Sequence, residues 1–202
     1  MNIKKVTTTR YISDEGFIFT FEPVEDTLVI GTTPKGYRAR YLVRDNNPQS
    51  PDENDDNGLF LVNYHRDFDV RRDSIIVKQN VADSYGGEKI PQEDKYHIFD
   101  LSMLSHSGVW LSLNSSFACD GGGWDTSHVG LVLVSKKEWH KRDKACEAAE
   151  SLVNEWNAVL SGDVYGCVVE YYDKNKKQIN QESCWGFIGF EEAKEELKGF
   201  TG

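Results

Sequence analysis

Between Ser105 and Gly130 the sequence crowds His106, Cys119, Asp125 and His128 around Trp124 and three consecutive glycines. These residue types support nucleophilic chemistry, with Cys119 as nucleophile, His106 or His128 as its base, and Asp125 orienting the imidazole. A hydrolase-like site of this kind is defined by geometry and not by sequence separation, so the spacing leaves it open. The competing reading is structural: Asp, Ser and Gly are ordinary turn formers, and a free cysteine is most often a small buried hydrophobe. The same four residues could ligate zinc, yet no pair has a recognised ligand spacing, so neither a metal nor any other cofactor is assigned. Gly121 to Gly123 permit positive φ and close backbone approach. No Gly-Lys-Ser/Thr follows them, which excludes a phosphate loop. A loop of this kind would present Trp124, with Asp125 and His106 nearby, as a recognition anchor.

A second cluster is acidic. Asp45 to Gly58 is polar, carries Pro48 and Pro51, and has no periodicity, as functional or mobile loops do. Asp52 to Gly58 looks like the start of a calcium loop, but Gly58 falls seventh where an EF-hand needs sixth, and Asn63 stands where Glu is required. Asp52, Glu53, Asp55 and Asp56 therefore read as solvated carboxylates, candidates for facing a basic partner. The whole chain of 202 residues carries a net charge of −10, which argues against direct binding of nucleic acid through its phosphates.

The four cysteines, Cys119, Cys146, Cys167 and Cys184, include no C-x-x-C pair and read as free thiols of a reducing compartment. No apolar run reaches the roughly 18–20 residues of a membrane span. Met1-Asn2-Ile3-Lys4-Lys5 is followed by no apolar segment, so no secretory leader is expected. The expectation is a cytoplasmic protein with no membrane contact.

The elements that must position these residues are mostly strands. Phe17–Phe21, Thr27–Ile30 and Arg38–Val43 are β-branched and aromatic, as are Leu59–Tyr64, Ser74–Lys78, His97–Phe99, Gly108–Leu113 and Val129–Val134. His65 to Arg72 mixes both charge signs, and Asp83 to Lys95 reads as a Gly/Pro-punctuated connection. A helix is expected from about Lys136 to Leu160: Ser135 and Glu138 have capping-box spacing, and Cys146, Ala149, Leu152, Val153, Trp156 and Leu160 keep the helical period up to Gly162. Val164–Tyr172 and Gln178–Ile188 form a hairpin about Asp173–Lys177, and Glu191–Lys198 a short last helix. The hairpin would bring Gly162–Gly166 opposite Ser183–Gly189, placing Tyr165 and Trp185 in a seam that is either core packing or an aromatic patch for a partner. The fold class is α+β: a largely antiparallel sheet against one long helix and a short C-terminal one. A single domain over 1–202 is expected, with N-terminal strands (1–44), the acidic loop (45–58, the one candidate linker) and a main body (59–202).

Taken together, Asn57-Gly58, His65-Arg66, His106-Ser107-Gly108, Phe117 with Cys119, Trp124-Asp125, Val129-Gly130, Gly162-Asp163-Val164-Tyr165-Gly166 and Ser183-Cys184-Trp185-Gly186-Phe187-Ile188-Gly189 form a pattern. It resembles a widespread family of small uncharacterised proteins encoded by bacteriophages and other mobile elements. The resemblance spans roughly residues 45–190. The chain departs from it at Asp55-Asp56, where the family carries Trp before the Asn, and at Asp120–Gly123, an insertion between the Cys and the Trp. The resemblance implies a phage or mobile-element origin and action in the host bacterial cytoplasm; it implies no activity. Two expectations stay open. One is a protein-binding accessory factor, an inhibitor of a host defence system such as CRISPR-Cas or restriction, whose partner is a host or phage protein. The other is a small enzyme using residues 106–128.

Overall fold

Val164–Asp173 (β10) is β-branched and aromatic through most of its length, and every residue from Val164 to Glu170 is buried. The backbone N–H and C=O groups of a buried strand need partners on both edges, and β10 has them: Gly36–Arg44 (β5) on one side and Gln178–Ile188 (β11) on the other, both antiparallel. The connection to β11 is the expected turn, four residues long (174–177) because Asp173, expected in the turn, still belongs to β10. Asp173 Oδ1 accepts from the Lys177 N–H at 2.9 Å, and Lys176 takes a positive φ of 74°. Val29–Thr33 (β4) completes a four-stranded sheet of order β11-β10-β5-β4.

The computed structural model describes residues 3–5, 10–13, 18–20, 23–24, 26–51, 57–63, 94–105, 108–113, 117 and 125–200, the first three spans as backbone. Those spans are Ile3–Lys5 (β1), Arg10–Ser13 (β2) and Ile18–Thr20 (β3), a small antiparallel sheet of which the sequence pattern anticipated the third strand. The expected strand Ser74–Lys78, the mixed-charge run 65–72 and the connection 83–93 lie outside the described residues.

The chain divides into two compact units, Met1–Pro48 with Gly162–Gly202, and Gln49–Ser161. The second unit is thus inserted between two strands, β5 and β10, that pair directly. One of its boundaries, between Pro48 and Gln49, falls within the acidic loop at 45–58.

In the first unit, alternate residues of the sheet build two clusters. Leu42, Tyr165 and Cys167 pack on Ala193 and Leu197 of the last helix, Phe190–Gly199, called α2 here. The Arg40 guanidinium donates to the carbonyls of Leu197 (3.4 Å) and Lys198 (3.0 Å), satisfying acceptors that a helix end leaves open. The opposite face holds Ala39, Tyr41 and Val168, with Leu28, Ile30, Tyr37, Val43 and Tyr172 around them.

The second unit is a sheet of order β6-β9-β7-β8, from Leu59–Asn63 (β6), Thr126–Ser135 (β9), Tyr96–Ser105 (β7) and Val109–Ser112 (β8). One face, with Leu61, Leu101, Met103 and Val132, receives Ala145, Ala149, Leu152, Val153 and Trp156 of Arg142–Ser161 (α1). The other buries Phe60, Val62, Leu131 and Leu133, with Tyr96 edge-on to Phe60 at 5.9 Å. Each four-stranded sheet therefore has its own helix, where the sequence led us to expect a single sheet against one long helix and a short C-terminal one.

That helix begins at Arg142, not near Lys136. Ser135 is the last residue of β9, its N–H bonded to the Gly58 carbonyl at 2.8 Å, and the single turn after it, closed by the Trp139 N–H on the Ser135 carbonyl at 2.8 Å, does not continue as helix. Trp139 is held away by its indole N–H on the Asn57 carbonyl (2.9 Å) and by its own carbonyl, which accepts from His97 Nε2 (2.9 Å). At the other end the helix stops at Ser161, and Gly162 follows with a φ of +72°, as its C-terminal signal required.

Candidate functional site

The hairpin places the two aromatic motifs opposite one another. Tyr165 faces Phe187 and Cys167 faces Cys184, so Gly166 alone stands against two residues, Trp185 and Gly186. This is a β-bulge, and a bulge re-aims a side chain. The Trp185 indole lies across Gly166: a Cβ added to Gly166 would sit 2.3 Å from its Cε3 and 2.8 Å from its Cδ2. Its Nε1–H donates to Ser183 Oγ at 3.0 Å. Trp185 remains 50% exposed, an indole held on two sides and open on the third. It stands on β11, an edge strand whose residues 183–186 are all exposed.

Tyr165, the other half of the expected aromatic seam, is a core residue, 3% exposed. Its ring meets Phe190 at 5.7 Å and lies under the Arg44 guanidinium at 5.6 Å. Beside it, Phe187 and Ile188 floor a groove of about 500 Å3 walled by Glu191, Glu192, Glu195 and Glu196 of α2. These four carboxylates supply an acidic face on α2, with Glu191 and Glu195 each beside a lysine of the same helix, Lys194 and Lys198.

Glu170 also escaped the sequence reading. It is 9% exposed, and its two carboxylate oxygens accept from Tyr41 Oη (3.2 Å) and Tyr172 Oη (2.5 Å). Burial pushes the Tyr172 hydroxyl up, and the adjacent Glu170 carboxylate pushes it further in the same direction. Its only sequence signal is a Glu at an inward position of an apolar strand. A cavity of about 390 Å3 lies at this end of the sheet, lined by Pro34, Lys35, Tyr37, Tyr171, Tyr172 and Ile179 among others.

In the second unit, Asp125 is exposed at the start of β9, its carbonyl accepting from the Ser105 N–H at 3.1 Å. His128 lies three residues on, its Nε2 3.3 Å from Asp100 Oδ1, a carboxylate the sequence did not nominate. Partial burial lowers the His128 pKa, so near neutral pH the ring is uncharged and donates Nε2–H to Asp100. Cys119, His106, Trp124 and the acidic residues Asp52, Glu53, Asp55 and Asp56 lie outside the described residues. Among the described residues, no cluster of His, Cys, Asp or Glu is arranged to hold a metal ion, and no helix is long and apolar enough to cross a membrane.

No protein-family model, curated protein or solved structure matches this chain.

Proposed function

We propose that this protein is a phage or mobile-element accessory factor that acts by binding a protein, in the manner of an inhibitor of a host defence effector. The observation that carries the reading is Trp185, half exposed yet fixed against Gly166 and Ser183. A rigid indole with one open face gives up little conformational entropy on binding, and Trp is enriched among the residues that dominate interface energies. The four glutamates above Phe187 and Ile188 support a basic partner, and nucleic-acid-binding effectors present basic channels. The resemblance to mobile-element proteins supports the host bacterial cytoplasm as the place of action. Affinity capture from host lysate tests the reading. A stoichiometric protein partner is expected, with capture weakened on the order of tenfold or more by Trp185→Ala. Absence of such a partner, or capture indifferent to Trp185, defeats it.

A second reading, a small hydrolase-like enzyme, is favoured by the His128–Asp100 contact at 3.3 Å. In it, His128 serves as the base of a Cys119 nucleophile. Cys119 would then alkylate faster near neutral pH than the half-buried Cys146, and Asp100→Asn would slow it. Equal labelling of the two thiols removes this reading.

A further inference from the structure

Cys167 and Cys184 stand directly opposite one another in the β10–β11 pairing, one step from the bulge that carries Trp185. Directly opposed residues of an antiparallel pair have Cα atoms about 4.5–5.5 Å apart and side chains on one face. That separation falls inside the range of about 4.4–6.8 Å over which a disulfide closes without backbone movement. Both thiols are free, and their environments differ: Cys184 is exposed on the edge strand, while Cys167 is fully buried with Sγ 3.7 Å from the Ala193 carbonyl. Ionised Cys184 is among the groups that raise the Cys167 pKa, after burial itself. Cys146, in the other unit, points instead toward Glu150 Oε1 at 3.9 Å.

We propose that Cys184 and Cys167 form an oxidation site in which a peroxide attacks the exposed thiol and the buried one resolves it to an intramolecular disulfide. In the first step the Cys184 thiolate takes one oxygen from the peroxide, giving a sulfenic acid and releasing hydroxide. In the second, Cys167 sulfur displaces that oxygen, the S–S bond forms and water leaves. The sum is two thiols and one hydrogen peroxide going to one disulfide and two waters. An exposed thiol beside a resolving cysteine is the arrangement that makes oxidation reversible, because the sulfenic acid is consumed before a second oxygen adds. The bond would tie the edge strand to its neighbour next to the bulge, fixing the backbone that presents Trp185. The inference does not depend on the binding reading.

The test uses the reduced full-length wild-type protein and dilute hydrogen peroxide. The expected result is a mass loss of two hydrogens, a protease fragment joining the peptides of Cys167 and Cys184, and recovery of both thiols on treatment with a reductant. In Cys167→Ala, Cys184 should instead be trapped by a sulfenic-acid reagent and then gain further oxygen. If wild-type Cys184 gains oxygen, or crosslinks between chains, while Cys167 still alkylates after denaturation, the proposal is overturned.

Discussion

Gly166 has no freedom to be anything larger while Trp185 stays where it is, because an added Cβ would meet the indole at 2.3 Å. Gly166→Ala is expected to cost about 1–3 kcal/mol, the range for forcing extra volume into a filled site. Most of that cost should vanish in a Trp185→Ala background, since residues in contact are not additive. Denaturant midpoints of the four proteins measure the coupling. The same close approach applies at Gly130 in the other unit, where a Cβ would lie 1.9 Å from the Val62 carbonyl oxygen. Cys167 makes a second prediction. Burial first, then the charges of Cys184 and Glu196, push its thiol up to about 11 from 9.0. The folded state therefore holds this proton when the unfolded state has released it. The stabilisation is complete below pH 9 and is lost as pH rises through about 11, so wild type should lose stability over that window more steeply than Cys167→Ala. In the sequence, the Trp-Gly motif was legible as a seam, but which aromatic was exposed was not. Alternation places Tyr165 and Trp185 by period, and the bulge then breaks the period between them.

At the scale of elements, helix α1 does more than cover a sheet face. The Asn157 side chain accepts from the Leu111 N–H at 2.7 Å and donates to the Leu111 carbonyl at 3.0 Å, pairing backbone groups of β8 as a neighbouring strand would. Asn157→Ala leaves both backbone groups unpaired, at a cost of about 1–3 kcal/mol. Hydrogen exchange should show the Leu111 amide losing protection while β9 amides keep theirs; unchanged protection at Leu111 would contradict the role assigned to Asn157. The body and end of this helix were readable from apolar period and a terminal glycine, because both are local signals. Its start was not. Ser135 and Glu138 have capping spacing, but Ser135 is claimed by a strand pairing with Gly58, a residue far away in sequence.

For the molecule as a whole, a net charge of −10 should make capture of a basic partner fall steeply between about 50 mM and about 500 mM salt, as the Debye length shrinks. Salt-indifferent capture would mean that the apolar Trp185 surface acts without charge steering. The acidic groove on α2 is the place to test this: charge reversal at Glu191 and Glu195 should reproduce the effect of salt. Composition and periodicity by themselves determined that the chain is α+β and largely antiparallel, and where most of its described strands run, since side-chain alternation is written within a few residues. Only the tertiary structure decided that there are two four-stranded sheets, each with its own helix, and that β5 and β10 close together around a 113-residue insertion. It also decided that Asp100 meets His128, that Glu170 is buried between two tyrosines, and that Cys167 faces Cys184. Apart from Glu170 and Tyr172, two residues apart on β10, these pairings join residues 17 to 129 positions apart, and strand register and bulges, which set them, depend on contacts that no local pattern encodes.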